Sequence, residues 1–481
     1  MPDADPLPPE PPLHRAARVG DHAALRRLLD SSADIETRAI PVFERGTEGL
    51  TPLMVAACSV DGASVETLAL LLERGADLRA TSHFQTAAWY AAGGDGGYEN
   101  PSDRTTPDRV DRLQYLLDAG LDAREGDDDR RALISQAARV GDPARVRLLL
   151  ARGASPLGDE WVIPLFEAAA SGSAECVRLL LDAGADPNGH DYFGRSALAS
   201  ARSPEVVAVL LAAGAKLDWR NSQEDLLDAV FTAITDADPP FTQGFAVAEA
   251  LLHAGLSLEK IDSQGWSRLA FAAFREQAAV VEFLLSRGVS LANDNEGSTP
   301  LHWVCWQGEH DPEIDAACER IVRRLVAAGI SVDARTRRQR TPLHEAVTGD
   351  WGNPIAVGTL LALGAEVDSI DYRGRTPLHR AVAHGGTACV ETLLQAGANP
   401  DHADQEGTTP RDLARRHPAI ARLIGSRDWS QSPVAESGPE RRARLEAALR
   451  VVSAAYASRH AVEAPQVRQA IADLFTRMTG E

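Results

Sequence analysis

The sequence predicts an all-α solenoid, a pile of helix-turn-helix units joined by protruding turns. Three observations predict it. A short motif, Ser/Thr-Pro-Leu-His, recurs along the chain. Each copy is followed by an apolar cluster at helical spacing and then usually by a glycine. The apolar fraction is 44% but aromatics are only 5%, so the core must be built from Ala, Leu and Val. Self-similarity at a period of about 33 residues marks a repeat architecture, in which one unit cannot bury its own apolar face and stacking supplies the rest.

The elements follow in order. "STPLHWVCWQG", "RTPLHEAVTGD" and "RTPLHRAVAHGG" are plain copies, and "PPLHRAARVGD", "LTPLMVAACSV" and "IPLFEAAASGS" are variants. Weaker copies bring the motif starts to 11, 51, 86, 132, 163, 196, 224, 267, 299, 341, 376 and 409. Thr or Ser before Pro suits a helix start, because the hydroxyl caps free N–H groups and Pro in the first turn loses no hydrogen bond. Leu and the Ala pair form a narrow apolar stripe that lets neighbouring helices approach. A second helix follows with V-x-x-L-L-L spacing, as in "VRLLLDAGADPN" and "VETLLQAGANPD". Its "AGA" or "RGA" glycine fits the left-handed residue that ends a helix.

These motifs resemble the ankyrin-repeat family, over roughly residues 11–425 and about twelve units. The resemblance implies stacked antiparallel helix pairs. It implies a structural role for His14, His302, His344 and His379, whose local hydrogen bonds brace the turn. It also implies that a partner contacts the turn tips and the first helix of successive units, where the two residues after the Ala pair face outward. Those residues include Arg139/Val140, Phe274/Arg275, Trp306/Gln307 and Ala383/His384. "TTPRDLARRHPAIARLIG" resembles a closing cap.

Departures from the repeat set the domain expectations. Residues 1–10 are a proline-rich, disordered start. Residues 11–215 and 245–425 are two blocks of repeats, the second ending in its cap, separated by an irregular repeat and inserted loop at 216–244. The unit near Ser196 is short, with Pro204 where its helix-helix turn should be. Extended connections at 93–108, 235–244 and 308–315, and a long turn at 36–49, are rich in Gly, Pro, Asp or polar residues and read as loops. Residues 426–440 read as a linker and 441–481 as a hairpin of two amphipathic helices, an extra cap or a self-association element.

The chemistry-bearing motifs are missing. There is no G-x-G-x-x-G, phosphate loop, H-E-x-x-H or G-x-S-x-G, and "EGDDDRR" lacks the alternating spacing of a calcium loop. The five cysteines (58, 176, 305, 318, 389) form no C-x-x-C and read as small buried hydrophobes. The expectation is a protein with no catalysis, no cofactor and no metal. Net charge is −20, which disfavours nucleic acid and favours basic partners. No apolar run of 18 residues exists, so no membrane span is expected, and the acidic start is unlike a signal peptide, which points to the cytoplasm. Only two lysines occur, Lys216 and Lys260, and with the many alanines this reads as the coding bias of a GC-rich genome, a bacterial one.

What remains is recognition of another protein. Phe274 and Trp306 put aromatics at solvated positions of adjacent repeats, and Trp266 stands at a turn tip beside them. Trp303 stands in "LHWVC", which resembles a common variant of the family motif whose Trp is half-buried. Sister turns carry Asp three residues before Gly ("DYRGRT", "DSQGWS", "DNEGST"), but in "DARTRRQRT" Thr336 and Gln339 replace that pair. Arg335, Arg337, Arg338 and Arg340 crowd this tip, with Tyr372 and Arg375 on the next and Tyr192, Phe193 and Arg195 on another. The expected surface therefore comprises Trp266, Phe274, Arg275, Trp306, Gln307, the four arginines, Tyr372, Arg375 and His384, on the concave face and turn tips of a scaffold or adaptor. The alternative is an inhibitor or immunity protein that occludes a basic enzyme or toxin.

Overall fold

Why the repeats become helices is visible at their first residues. In a computed structural model, residues 10–425 are described apart from 39–48, 60, 83–84, 94–106, 125–131, 158–162, 191–193, 218–224, 237–242, 263–264, 307–311 and 350–351. The expected linker and C-terminal hairpin, most of the four long connections, Gln307, Tyr192 and Phe193 lie outside the described residues. All regular structure among the described residues is α-helical, with two isolated β-bridges, Ser82 to Gln85 and Ile261 to Ser267.

The contacts divide the chain into two units, residues 1–256 and 257–481. In the first, the first helices are Pro12–Val19, Pro52–Cys58, Ala87–Ala92, Leu133–Val140, Pro164–Ser171 and Leu226–Asp236. Their partners are His22–Asp30, Val65–Glu73, Pro107–Asp118, Pro143–Ala151, Ala174–Asp182 and Gly244–His253, with Pro204–Ala212 between the last two. The motif at Ser196 opens no helix. Residues 197–200 form a turn held by Ala199 and Ser200 N–H bonds to Ser196 and Ala197 carbonyls. Pro204 is the first residue of the second helix, not part of the connection, and the Ser203 hydroxyl caps that helix at Val206.

The second unit has first helices Arg268–Phe274, Pro300–Cys305, Pro342–Ala346, Pro377–His384 and Pro410–Ala414. Their partners are Ala278–Ser286, Pro312–Ala327, Pro354–Ala362, Thr387–Gln395 and Pro418–Gly425. Here first helix packs on first helix and second on second from one repeat to the next. The core between them is Leu301, Val304, Leu343, Ala346, Leu378 and Ala381 on one side, and Val281, Leu284, Ile321, Leu325, Leu360 and Leu393 on the other. Each such Leu contributes roughly 1.5–3 kcal/mol by leaving water. All five cysteines are buried and none is in a disulfide, and burial pushes the Cys176 and Cys389 thiols up to about 11 and about 12.

The histidines tie repeat to repeat. His302 Nδ1 accepts from the Thr299 backbone N–H at 3.1 Å and lies 2.9 Å from its hydroxyl. That leaves Nε2–H to donate to the carbonyl of Arg340, in the next turn, at 3.1 Å. His344 does the same with Thr341 and the Arg375 carbonyl, and His379 with Thr376 and the Thr408 carbonyl. His14 reaches the Leu50 carbonyl at 2.9 Å. In the final repeat Asp412 replaces the imidazole and keeps only the local box with Thr409.

His302, His344 and His379 must be neutral to make both bonds, whereas the buried Nδ1 of His14 has no hydrogen bond. Burial lowers the pKa of His14, His302 and His379, and takes that of His344 to about 4. An unfolded histidine titrates near 6.5. Below that pH the unfolded chain gains protons that the folded chain refuses, so stability is full above about 6.5 and declines as pH falls toward 4. The unfolding free energy from urea titrations should therefore drop between pH 7 and pH 5, by up to about 1.4 kcal/mol per pH unit for each histidine. His344→Gln should lower stability at pH 7 but flatten this dependence; an unchanged slope would contradict the assignment.

Candidate functional site

The second unit gathers four aromatic rings. Trp266 sits at the end of a turn in which Asp262 Oδ1 accepts its backbone N–H at 2.8 Å. The turn lies close against its neighbour: a Cβ on Gly265, at φ +88°, would fall 2.7 Å from the Asn295 nitrogen. Phe274 ends the helix Arg268–Phe274, Trp303 is on the helix Pro300–Cys305, and Trp306 caps that helix with its N–H on the Trp303 carbonyl. Ring centroids are 3.9 Å apart for Trp266 and Trp303 and 5.4 Å for Trp266 and Phe274. Trp306 lies 6.1 Å from Phe274, nearly parallel, and 6.0 Å from Trp303 at 84°. Trp266, Phe274 and Trp303 are half-buried, whereas Trp306 is 49% exposed.

Trp303 is fixed by the adjoining turn. Its indole N–H donates to Asp294 Oδ2 at 3.2 Å, and Asp294 Oδ1 accepts the backbone N–H groups of Glu296 and Ser298. Trp303 is half-buried, as its sequence context suggests, and like Phe274 it touches all three other rings. The signal was present, since residues 303 and 306 are one helical turn apart.

The arginine-rich tip follows the same turn with altered chemistry. Thr336 Oγ1 accepts the Arg340 N–H at 3.2 Å, in place of an Asp carboxylate, and Gln339 takes φ +59° where sister turns have Gly. Neighbouring tips are joined by backbone bonds, Arg337 N–H to the Glu296 carbonyl at 2.8 Å and Tyr372 N–H to the Arg338 carbonyl at 3.0 Å. Arg335 donates to the Ile370 carbonyl and lies 3.8 Å from Glu366. Arg375 pairs with Asp404 at 3.2 Å, so both of these arginines hold neighbouring turns. Arg337 and Arg338 are exposed and make no side-chain hydrogen bond or ion pair among the described residues. Tyr372 is exposed, with the Arg373 guanidinium 5.3 Å from its ring centre. Arg275 and His384 are exposed at the ends of their first helices.

A groove of about 360 Å³ joins the two features. Trp266, Trp303 and Trp306 line it together with Arg338 and Arg340, and Asp294, Glu296 and Glu345 supply its carboxylates. Glu345 was not expected here; it is the residue after His344, as Trp303 is after His302. Its carboxylate is 3.4 Å from the Arg340 guanidinium and 3.9 Å from that of Arg380. Burial lowers the pKa of Arg380, partly offset by Glu345. His302 also lines the groove, but both ring nitrogens are committed to the repeat. Cys305 is buried, and burial raises its thiol well above the usual range. The groove thus offers stacking surface and charged handles. No group of three or more His, Cys, Asp or Glu able to hold a metal ion occurs among the described residues.

The pattern described as "Ankyrin repeats (3 copies)" matches residues 134–221 and 313–404, and "Ankyrin repeat" matches 48–83. The chain is similar to Neurogenic locus notch homolog protein 1 of Xenopus tropicalis, at 30% identity over 207 residues, covering 40% of this chain and 8% of that protein. The Xenopus laevis homologue matches to the same extent. Ankyrin repeat, SAM and basic leucine zipper domain-containing protein 1 of Echinops telfairi is 33% identical over 112 residues, 23% of this chain and 22% of its own length. The chain therefore spans only a small part of each of these relatives.

The left-handed conformation of Gln339 gives a direct test of the tip. A non-glycine residue there costs roughly 1–2 kcal/mol, part of which glycine returns through its larger unfolded-state entropy. Gln339→Gly should raise unfolding stability by about 0.5–1 kcal/mol, measured by urea denaturation. A loss of stability would mean that the Gln side chain holds the tip.

Proposed function

The chain is an ankyrin-repeat protein, and from that premise we propose that it is a non-catalytic adaptor of the cytoplasm whose partner is another protein, bound on the first-helix face and turn tips of the second unit. Ankyrin repeats are a protein-protein interaction module, and no helix among the described residues is long and apolar enough to cross a membrane. The observation that carries the reading is Trp306, 49% exposed and backed by Phe274 and Trp303. A large ring held rigidly at a groove loses little entropy on binding, and such residues commonly contribute 2 kcal/mol or more to an interface. Arg337 and Arg338 on the adjoining tip supply charge that orients a partner and speeds its approach.

A second reading, that the chain inhibits a basic enzyme or toxin, is favoured by one observation, the net charge of −20. Quantitative capture tests both. Wild-type protein should retain a specific partner that Trp306→Ala with Phe274→Ala loses by about tenfold or more, with helical content unchanged. Equal recovery by both proteins would remove the groove from the interface. Assay of the captured partner then separates adaptor from inhibitor: an enzyme silenced in the complex supports the second reading.

A further inference from the structure

The charges lining the groove are not equally available. Asp294 is used up, one oxygen by two backbone N–H groups and the other by Trp303. Glu345 lies between two guanidiniums, Arg340 and Arg380. The Nε–H groups of both arginines are buried and have no acceptor. Against these, Glu296 is the carboxylate of the lining whose oxygens make no bond among the described residues; Arg338 lines the same groove, and it and Arg337, whose backbone N–H meets the Glu296 carbonyl, are likewise uncommitted. The arginine end therefore holds more donors than acceptors, while the tryptophan end holds exposed apolar surface.

The two ends belong to successive repeats. Trp303 and Trp306 lie in the repeat that starts at Thr299, and Arg338 and Arg340 on the turn that leads into the repeat at Thr341. Packed helices lie about 8–10 Å apart. An extended chain advances about 3.3 Å per residue. One repeat is thus matched by about three residues of an extended ligand.

We propose that the groove takes an extended segment of a partner protein bearing a bulky apolar side chain and, three residues away, a carboxylate: the first against Trp303 and Trp306, the second on Arg338 and Arg340. This rests on the protein-binding reading above and adds the chemistry of the bound segment. A basic residue at the second position meets two guanidiniums and is rejected.

The test uses dye-labelled ten-residue Gly/Ser peptides carrying one Leu and one Glu separated by one to six positions, titrated by fluorescence polarisation against the full chain. The i, i+3 peptide should bind best, about tenfold tighter than its Glu→Gln counterpart. Arg338→Gln, at an exposed side chain without contacts, should abolish most of that difference; Arg340→Gln should do so more completely. Trp306→Ala should weaken every peptide. Binding that depends on Trp306 but is indifferent to the spacing, or prefers Lys to Glu, overturns this inference and leaves the protein-binding reading standing. The same holds if no peptide binds at millimolar concentration while a protein partner is still captured through Trp306. Loss of both overturns both.

Discussion

One hydrogen bond organises the second unit: a neutral imidazole reaching from the start of one repeat to a carbonyl in the next turn. It requires Thr or its equivalent to occupy Nδ1, so that Nε2 carries the proton. It requires burial, which keeps the ring uncharged. It also fixes the surface. The carbonyl that His302 reaches belongs to Arg340, whose guanidinium lines the groove, and the residue after His302 is Trp303. The residue after His344 is Glu345, and the residue after His379 is Arg380. Trp303 and Glu345, which line the groove, are thus direct neighbours of the positions that hold the stack. Rigid placement of this kind lets side chains bind without first paying for order.

Among the described residues of the first unit His14 keeps only half of this clip, its Nε2 on the Leu50 carbonyl and its buried Nδ1 without a hydrogen bond, and one junction is held differently. Arg109 and Arg112 are fully buried and donate to the carbonyls of Cys58, Ala56 and Ser59, at the end of the helix Pro52–Cys58. Carbonyls at a helix C-terminus carry partial negative charge and lack partners within the helix, so a cation is stabilised there. Arg145, also buried, lies 3.2 Å from Asp142. Burial lowers its pKa to about 10, which leaves it charged at neutral pH.

Recurrence made the scaffold legible. Thr-Pro-Leu-His fixes the helix start, the Ala pair the close packing, and the glycine the left-handed stop, and each is a local instruction repeated many times. The site was legible where a residue broke its repeat's own rule, as Trp306 and Thr336 do. It was not legible where meaning came from neighbours distant in sequence. Trp303 fits an ordinary half-buried position and shows its importance only through Trp266 and Asp294. Nothing in the sequence marks Arg109 and Arg112, whose burial depends on carbonyls of the repeat before them. The repeat at Ser196 failed for a simpler reason. Only the residues between Ser196 and Ser203 are available for a first helix and a connection, so a turn forms and Pro204 starts the second helix instead.

Strain points to the same region as the aromatics. Three non-glycine residues among those described take φ above zero: Ser32, Glu276 and Gln339. Two of them lie close in the chain to the aromatic cluster and the arginine tip. Glu276 follows Phe274 and Arg275, at the helix end where Gly20, Gly141, Gly172 and Gly385 stand in other repeats, and Gln339 is in the arginine tip. A repeat that offers glycine at these points and departs from it bears an energetic cost that packing does not require. At the tip the departure comes with four arginines and the loss of a turn-capping aspartate, which together raise its positive charge. Departures from local consistency in an otherwise regular fold concentrate where function opposes stability. An exposed ring on an aromatic cluster, uncommitted guanidiniums and tolerated strain are independent observations, and their meeting between residues 266 and 345 is the physical case for recognition at this surface.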